Sequence, residues 1–568
     1  MKAIDPKFLT QSRAIFTSVA GMNLQQLRDQ VAAQAIGTIR RDQLSALDTA
    51  ARVFGRPLVS IRATPGAVRD LFGTTAGPEV GVSAKRLANI RSDVGKALRL
   101  YGAPVPAITK RIPLAPDWSQ LLYSVEIRHH RMALNRFACF CSAVGIGPTA
   151  VGPDALLGFH SALDAEEVVK NPLKLLKMTI AIWNMCRRGV SGWTDITLSS
   201  PYKTTAYTLP LSAFPESFQQ DVRTWVARVT EPDPLDPDAP SRPLRSATIK
   251  CRIVEIRRFA SALIHQGTLT VCQVTSLRVL YDGDNFKSSL RFFLKRFDNK
   301  PTAAIEGMAN HLRHIAKHYC KVDSKTLEAL TAVCSRLDSG SSRHMSSRNR
   351  ERLRQFDDPK KVAKLLAFPA EERVRGLKQR NQIRAARCME RALAIDLLIQ
   401  CCLRMQNLHT IHLTRNLCVT GGQTYLTFEG NEVKNNQLLD FELSNDVADA
   451  LTEFCKVHRP CLPGAGGPYL FPGRNGGPKS HGAMRSGIEG ALRKRSGLLM
   501  HPHLFRHAIA KIVVERNPDL YPAISQHLGH KRLDMTMAHY LGTETRASAR
   551  HIDRLLSATR ADPTLKKD

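Results

Sequence analysis

The stretch His501-Pro502-His503-Leu504-Phe505-Arg506-His507 is the densest chemical constellation in the chain. On a helix, His503 and Arg506 stand three apart and His503 and His507 four apart, so the three side chains share one face. Two chemistries compete for such a face. Paired histidines at i and i+4 are a zinc spacing, but the acid expected between them is missing, and Arg506 would set a fixed positive charge beside the cation. A face of histidine and arginine suits a phosphate. Two further clusters follow it, Gln526-His527-Leu528-Gly529-His530 and Thr536-Met537-Ala538-His539-Tyr540.

The whole chain shares that preference for anions. Its 82 Lys and Arg against 50 Asp and Glu leave a formal charge of +32, while 43% hydrophobic residues is ordinary for globular proteins. Disorder is excluded as the main state, because low hydrophobicity must accompany high charge for a chain to fail to bury a core. An everyday metabolic enzyme is disfavoured too. Membrane-surface binding concentrates its charge on one amphipathic segment, whereas Arg and Lys run through all of this sequence, so nucleic acid is the expected partner.

At its start, Met1-Lys2-Ala3-Ile4-Asp5-Pro6-Lys7 places an acid and a proline where a secretion signal carries apolar residues. The longest apolar stretch, Ala392 to Leu403, is interrupted by Asp396 and Gln400 and is too short to cross a bilayer. A soluble protein without membrane partners is expected. Thirteen cysteines, without CxxC pairs, fit reduced cytoplasmic thiols, with Cys401-Cys402 buried.

A length of 568 residues predicts three to four folded units at roughly 150 residues each. The first 340 residues carry apolar positions at three- and four-residue spacing, as in Ile253-Ile256-Phe259-Leu263, and read as helices. Breaks fall at Gly102 to Pro106, at the stiff segment Pro232 to Pro240, and at the basic stretch Ser339 to Arg354. Arg136-Phe137-Ala138 precedes Gly145 as Arg258-Phe259-Ala260 precedes Gly267, which reads as a duplicated helical domain, against chance likeness between amphipathic helices. A weaker third copy is placed near Leu44 to Tyr101. From about residue 385 the texture becomes mixed: a helix over Ala392 to Leu403, a hairpin of Leu417 to Thr420 and Thr424 to Phe428 across Gly421-Gly422, and a third strand at Leu438 to Leu443.

The set His503-x-x-Arg506-His507, Leu528-Gly529-His530 and Tyr540 resembles the carboxy-terminal catalytic motif of the tyrosine recombinase family, the phage-integrase type. That family has a first arginine after an apolar helix in a pattern like Gly-Leu-Arg-x-x-Glu-Leu, which Cys402-Leu403-Arg404-Met405-Gln406-Asn407-Leu408 resembles. It also has a lysine in a hairpin turn about thirty residues on, where Lys434 stands. Leu470-Phe471-Pro472 is similar to the family as well. The likeness covers about the last third of the chain, and an ordered set of six residues is more specific than any one of them. Singly, Lys434 reads equally as a solvated turn lysine, Arg404 as a helix-end charge and Tyr540 as a packed aromatic.

The resemblance implies a role for each. Arg404 and Arg506 would clamp the nonbridging oxygens of a DNA phosphate where charge grows in the transition state. Tyr540 would attack phosphorus, losing its proton with help from the clustered positive charge and from His503. Lys434 would protonate the departing 5′ oxygen, and His530 would hydrogen-bond the phosphate. A covalent 3′-phosphotyrosyl intermediate stores the bond energy, so no cofactor, metal or ATP is expected. His507, His527 and His539 are read as structural or phosphate-facing neighbours. Three departures stand out: Asn407 where the family usually has an acid, ten residues rather than nine from His530 to Tyr540, and Phe505 for a frequent leucine.

The implied fold is multidomain, with all-α tandem SAM-like core-binding-type units followed by a mixed α+β catalytic domain with a small antiparallel sheet. The expected divisions are 1–115 (helical), 116–231 (core-binding-like), 232–245 (Pro/Asp-rich linker), 246–340 (core-binding clamp), 341–380 (basic linker and helix) and 381–568 (catalytic domain with a tail helix, Arg546 to Leu556). Thr248, Arg252, Arg257, Arg258 and Lys287 are the expected phosphate contacts of the clamp. The implied protein is a cytoplasmic, nucleoid-associated integrase or transposase of a mobile element. It would act on double-stranded DNA as a dimer to tetramer, with or without partner recombinases. A type IB topoisomerase-like enzyme and an idle DNA-binding relative are the rival readings.

Overall fold

The computed structural model describes residues 22–73, 75–102, 113–165, 169, 171–202, 207–338, 345–434, 436–529, 553 and 556–557. The chain divides into two compact units, one of residues 1–203 with 351–531 and one of 204–350 with 532–568.

The first unit opens with two helical cores. Helices Leu24–Gln34, Gly37–Phe54 and Ala84–Tyr101 close over Leu27, Val31, Leu47, Ile90 and Val94, all buried. Asn23 starts the first by a capping box: its side chain accepts from the Gln26 N–H, and the Gln26 side chain accepts from the Asn23 N–H, both at 2.9 Å. Helices Pro116–Tyr123, Arg128–Ala143, Pro153–Ala165 and Pro172–Gly189 enclose Trp118, Phe137, Phe159 and Trp183. Each indole N–H is satisfied, Trp118 on the Ile146 carbonyl and Trp183 on the Ile196 carbonyl. Buried Arg69 joins the two cores, donating to the Val169 carbonyl at 2.8 Å and to Asp164 at 2.7 Å.

The carboxy-terminal part of this unit is built on helices Pro359–Leu377 and Gln382–Gln400. The second begins ten residues before the expected start and stops at Gln400, because Cys402 adopts a left-handed φ of 49°. Among the described residues no helix is long and apolar enough to cross a membrane. Strands β1 (Leu417–Thr420), β2 (Gln423–Phe428) and β3 (Leu439–Glu442) form one antiparallel sheet in that order, pairing Thr420 with Gln423 and Leu426 with Phe441. The two-residue turn needs positive φ at both positions, which Gly421 (59°) and Gly422 (81°) supply without strain. Helices His481–Ser496, Pro502–Arg516 and Tyr521–His527 complete the domain. The basic stretch is not all linker: Ser347–Arg354 is a helix with Leu353 buried.

The amino-terminal core meets this domain. Glu79 pairs with Arg493 near the end of helix His481–Ser496, with Nη2 to Oε2 at 3.2 Å. Gly497 follows with φ 74°, and a β-carbon placed there would lie 2.7 Å from the Pro78 carbonyl oxygen.

The second unit corrects the expected boundary at residue 231. Helix Glu216–Thr230 buries Phe218, Val222, Trp225 and Val229 in the same core as Phe259, Phe286, Phe293 and Leu312, which come from helices beyond the Pro/Asp-rich segment. Residues 232–245 are therefore a loop inside one folded unit, and no linker divides 116–231 from 246–340 at that point. A fragment of residues 207–338 is expected to unfold cooperatively, whereas 246–338, lacking Phe218 and Trp225, is expected to show no cooperative melt by circular dichroism. Deleting one such aromatic from a core costs about 3–5 kcal/mol, and the shorter fragment loses both.

The two proposed duplicates end their helices alike. Ile146 N–H bonds the Cys141 carbonyl and Thr268 N–H the Leu263 carbonyl, with Gly145 and Gly267 both at φ 70°. This is also the general left-handed helix stop, shared by Gly55. Beyond it the paths differ, helix Pro153–Ala165 in one and the short turn Arg278–Tyr281 in the other.

Candidate active site

His501 caps helix Pro502–Arg516, its Nδ1 accepting from the Leu504 N–H at 3.2 Å. The His501 and His503 rings lie parallel with centroids 6.5 Å apart, and the His503 and His507 rings meet edge to face at 5.2 Å. The single shared face is corrected in one respect. His503 is exposed, but Arg506 points inward and is only 4% exposed.

Inside, Arg506 joins segments remote in sequence. Its Nη1 donates to the Cys402 carbonyl at 2.5 Å, and its Nη2 donates to the Leu528 carbonyl. The left-handed turn at Cys402 belongs to the same segment, two residues before Arg404. Leu528 leads into Gly529, whose left-handed φ of 59° favours glycine and where a β-carbon would come within 2.9 Å of Leu439 Cδ2. Burial pushes the Cys402 thiol up to about 12. Both Cys401 and Cys402 are buried.

Arg404 sits at the start of the short helix Met405–His409, half-buried. Its Nη1 is fully buried and has no hydrogen-bond partner among the described residues. Burial lowers its pKa from the ordinary value of 12.5, yet a guanidinium stays charged at neutral pH. A buried cation left without an acid is costly unless an anion arrives, so this group is chemically set to receive an oxyanion.

Lys434 is exposed in the connection between β2 and β3. A hub at Glu432 holds that connection: its carboxylate accepts from Asn416 Nδ2 at 3.0 Å and the Glu429 N–H at 3.2 Å, and pairs with Arg415 at 3.1 Å. Asn407, three residues after Arg404 and buried, donates its Nδ2 to the Glu432 carbonyl at 3.3 Å. An ionised acid at 407 has no proton to donate. The departure from the family pattern thus ties the Arg404 segment to the Lys434 loop, and neither Glu432 nor Asn416 carried a signal in the sequence.

His527 packs against Phe441 at 5.3 Å. Burial lowers its pKa, the Arg506 charge adds to that, and a hydrogen bond with the Gln400 backbone opposes both. His530, His539, Tyr540 and most of the expected tail helix lie outside the described residues. Among the described residues no cluster of His, Cys, Asp or Glu is arranged to hold a metal ion.

In the second unit, three of the five expected phosphate contacts are engaged within the fold. Arg252 pairs with Glu255 at 3.2 Å, Arg257 donates to the Leu209 carbonyl at 3.0 Å, and Arg258 donates to the Tyr207 hydroxyl at 2.7 Å while lying over the Phe293 ring. Lys287 pairs at the surface with Asp284, and Thr248 lies half-buried in the first turn of helix Ser246–His265.

Residues 358–546 match the Phage integrase family model. The tyrosine recombinase XerC of Chromohalobacter salexigens is 28% identical over 151 residues, 26% of this chain, so the chain spans about 46% of that curated relative. Two crystal structures of the XerH site-specific recombinase are similar in part. The post-cleavage complex on palindromic difH has 10% identity and a TM-score of 0.32, over 58% of this chain and 93% of that one. The pre-cleavage complex on difH has 11% identity and a TM-score of 0.30, over 56% and 89%. The residues that match the family model hold all six motif positions in order, from Arg404 to Tyr540, and it is over this stretch that the chain is similar to the phage integrase family.

Proposed function

We propose that this chain is a site-specific recombinase that cuts and rejoins duplex DNA through Tyr540, in the integration, excision or transposition of a mobile element. The observation that carries the reading is the Arg506 guanidinium bridging the Cys402 and Leu528 carbonyls. That bridge draws together the segments leading to Arg404 and to His530, as a single phosphate site requires.

In the reaction, the Tyr540 oxygen attacks phosphorus as its proton leaves toward His503 or solvent. The bond from phosphorus to the 5′ oxygen breaks, and Lys434 protonates that oxygen. The Arg404 guanidinium, whose Nη1 has no hydrogen-bond partner among the described residues, meets the charge that grows on the nonbridging oxygens, and His530 hydrogen-bonds one of them. Rejoining reverses the roles with a new 5′ hydroxyl, drawing on the energy held in the phosphotyrosyl bond. Double-stranded DNA is the partner, a dimer to tetramer the working assembly, and the cytoplasm its place.

The test uses the full chain with nicked duplexes bearing the termini of the element that encodes it. A denaturant-resistant protein–DNA adduct is expected, and peptide mass mapping should locate the DNA on Tyr540. An adduct on another residue, or none on those termini, overturns the reading, and relaxation of supercoiled DNA without exchange between duplexes would favour the topoisomerase-like rival.

A further inference from the structure

A cavity of about 200 Å³ in the 204–350 unit is lined by Arg228, Arg252, His311, His314 and His318, with Asp238 and Pro240 of the Pro/Asp-rich loop at its side. The loop holds on through its acids. Asp236 meets Arg228 at 2.6 Å, and Asp238 meets Lys321 at 2.9 Å and His318 at 3.7 Å. Glu255 supplies the remaining carboxylate, to Arg252 at 3.2 Å and His311 at 2.9 Å.

The loop supplies two of the carboxylates that face the cations at this place. Arg228, Arg252 and Lys321 are three fixed cations facing Asp236, Asp238 and Glu255, and without the loop one carboxylate would remain against three. Burial lowers the His314 pKa, and the charges of His318, Arg252, Lys317 and Arg313 lower it further, as expected where positive potential is in excess. The loop is folded on itself in short turns, with Ala239 N–H on the Asp236 carbonyl at 3.0 Å and Asp238 N–H on Asp236 Oδ1 at 2.9 Å, and it adds no helix to the core. Prolines 232, 234, 237 and 240 bar helix formation, Leu235 is 88% exposed, and its ion pairs are partly exposed, the kind that are weak and salt-screened.

We propose that residues 232–240 are an internal stand-in for a phosphate: Asp236 and Asp238 occupy an anion pocket that a phosphodiester of duplex DNA takes by displacing the loop. The inference rests on the DNA-binding reading above, and it assigns that reading a self-competing contact.

The test is fluorescence anisotropy of the full chain on a labelled random-sequence duplex across a salt series. Asp236→Asn with Asp238→Asn is expected to tighten binding by about 3- to 10-fold at low salt, and to steepen the log–log salt slope by about 0.9 for the one added phosphate. The charge-matched control Glu231→Gln with Asp233→Asn, acids of the same segment outside these ion pairs, is expected to change it less than twofold, roughly the effect of remote screened charge. Adding Arg228→Gln to the double variant should cancel the gain. Equal gains from the double variant and the control, or none from either, overturn the proposal while leaving DNA binding by the parent chain intact. Failure of the parent chain to bind any duplex overturns both readings. Circular dichroism melts establish that each variant is folded.

Discussion

Arg404→Ala is expected to slow strand cleavage by about 10³-fold, the scale lost when one preorganised donor to a developing oxyanion is removed, while duplex binding stays within a few-fold. Its buried Nη1 has no hydrogen-bond partner among the described residues. Deleting it therefore orphans no carbonyl or carboxylate at that atom, and the melting temperature should hold or rise. Arg404→Lys should recover little, because a compact ammonium cannot present the paired planar donors that a phosphate accepts from arginine. Single-turnover cleavage of a nicked duplex, read on a denaturing gel, checks both variants. A parental rate in Arg404→Ala would remove this residue from the chemistry.

Arg506→Ala is expected to fail differently, losing cleavage and about 3–5 kcal/mol of domain stability together. That is the scale of breaking a buried charged network and leaving its partners unsatisfied. Here the partners are the Cys402 and Leu528 carbonyls. Arg506→Lys keeps the charge, yet one ammonium cannot reproduce a fork held between two carbonyls, so most of the destabilisation should persist. Thermal melts followed beside the cleavage assay separate the two arginines. If Arg506→Ala melts with the parent chain, the bridge carries no structural weight.

Local chemistry was readable in the sequence. The Gly421-Gly422 hairpin followed from turn stereochemistry and the helix of His503 from its spacing, since each depends on neighbours within a few residues. Arg506's inward direction was not readable, because its partner Cys402 lies 104 positions away and offers a backbone carbonyl that any residue type would carry. The internal partners of Arg257 and Arg258 were equally unreadable: on a helix both look solvated, and only the fold brings Leu209 and Tyr207 to their Nε atoms across 48 and 51 residues. Composition marked 232–240 correctly as a helix breaker. It could not tell that Trp225 before it and Phe259 after it share one core.

The close approach of Pro78 to Gly497 gives the front of the molecule a hold on its rear. Gly497 is four residues ahead of His501, where the helix bearing Arg506 is capped. Glu79 also pairs with Arg493, so the amino-terminal helices hold the segment that feeds that helix at two points. Grafting a foreign module in their place would have to rebuild both the acid and the tight backbone seat, and a chain shortened at its front would lose both holds on that segment along with its size.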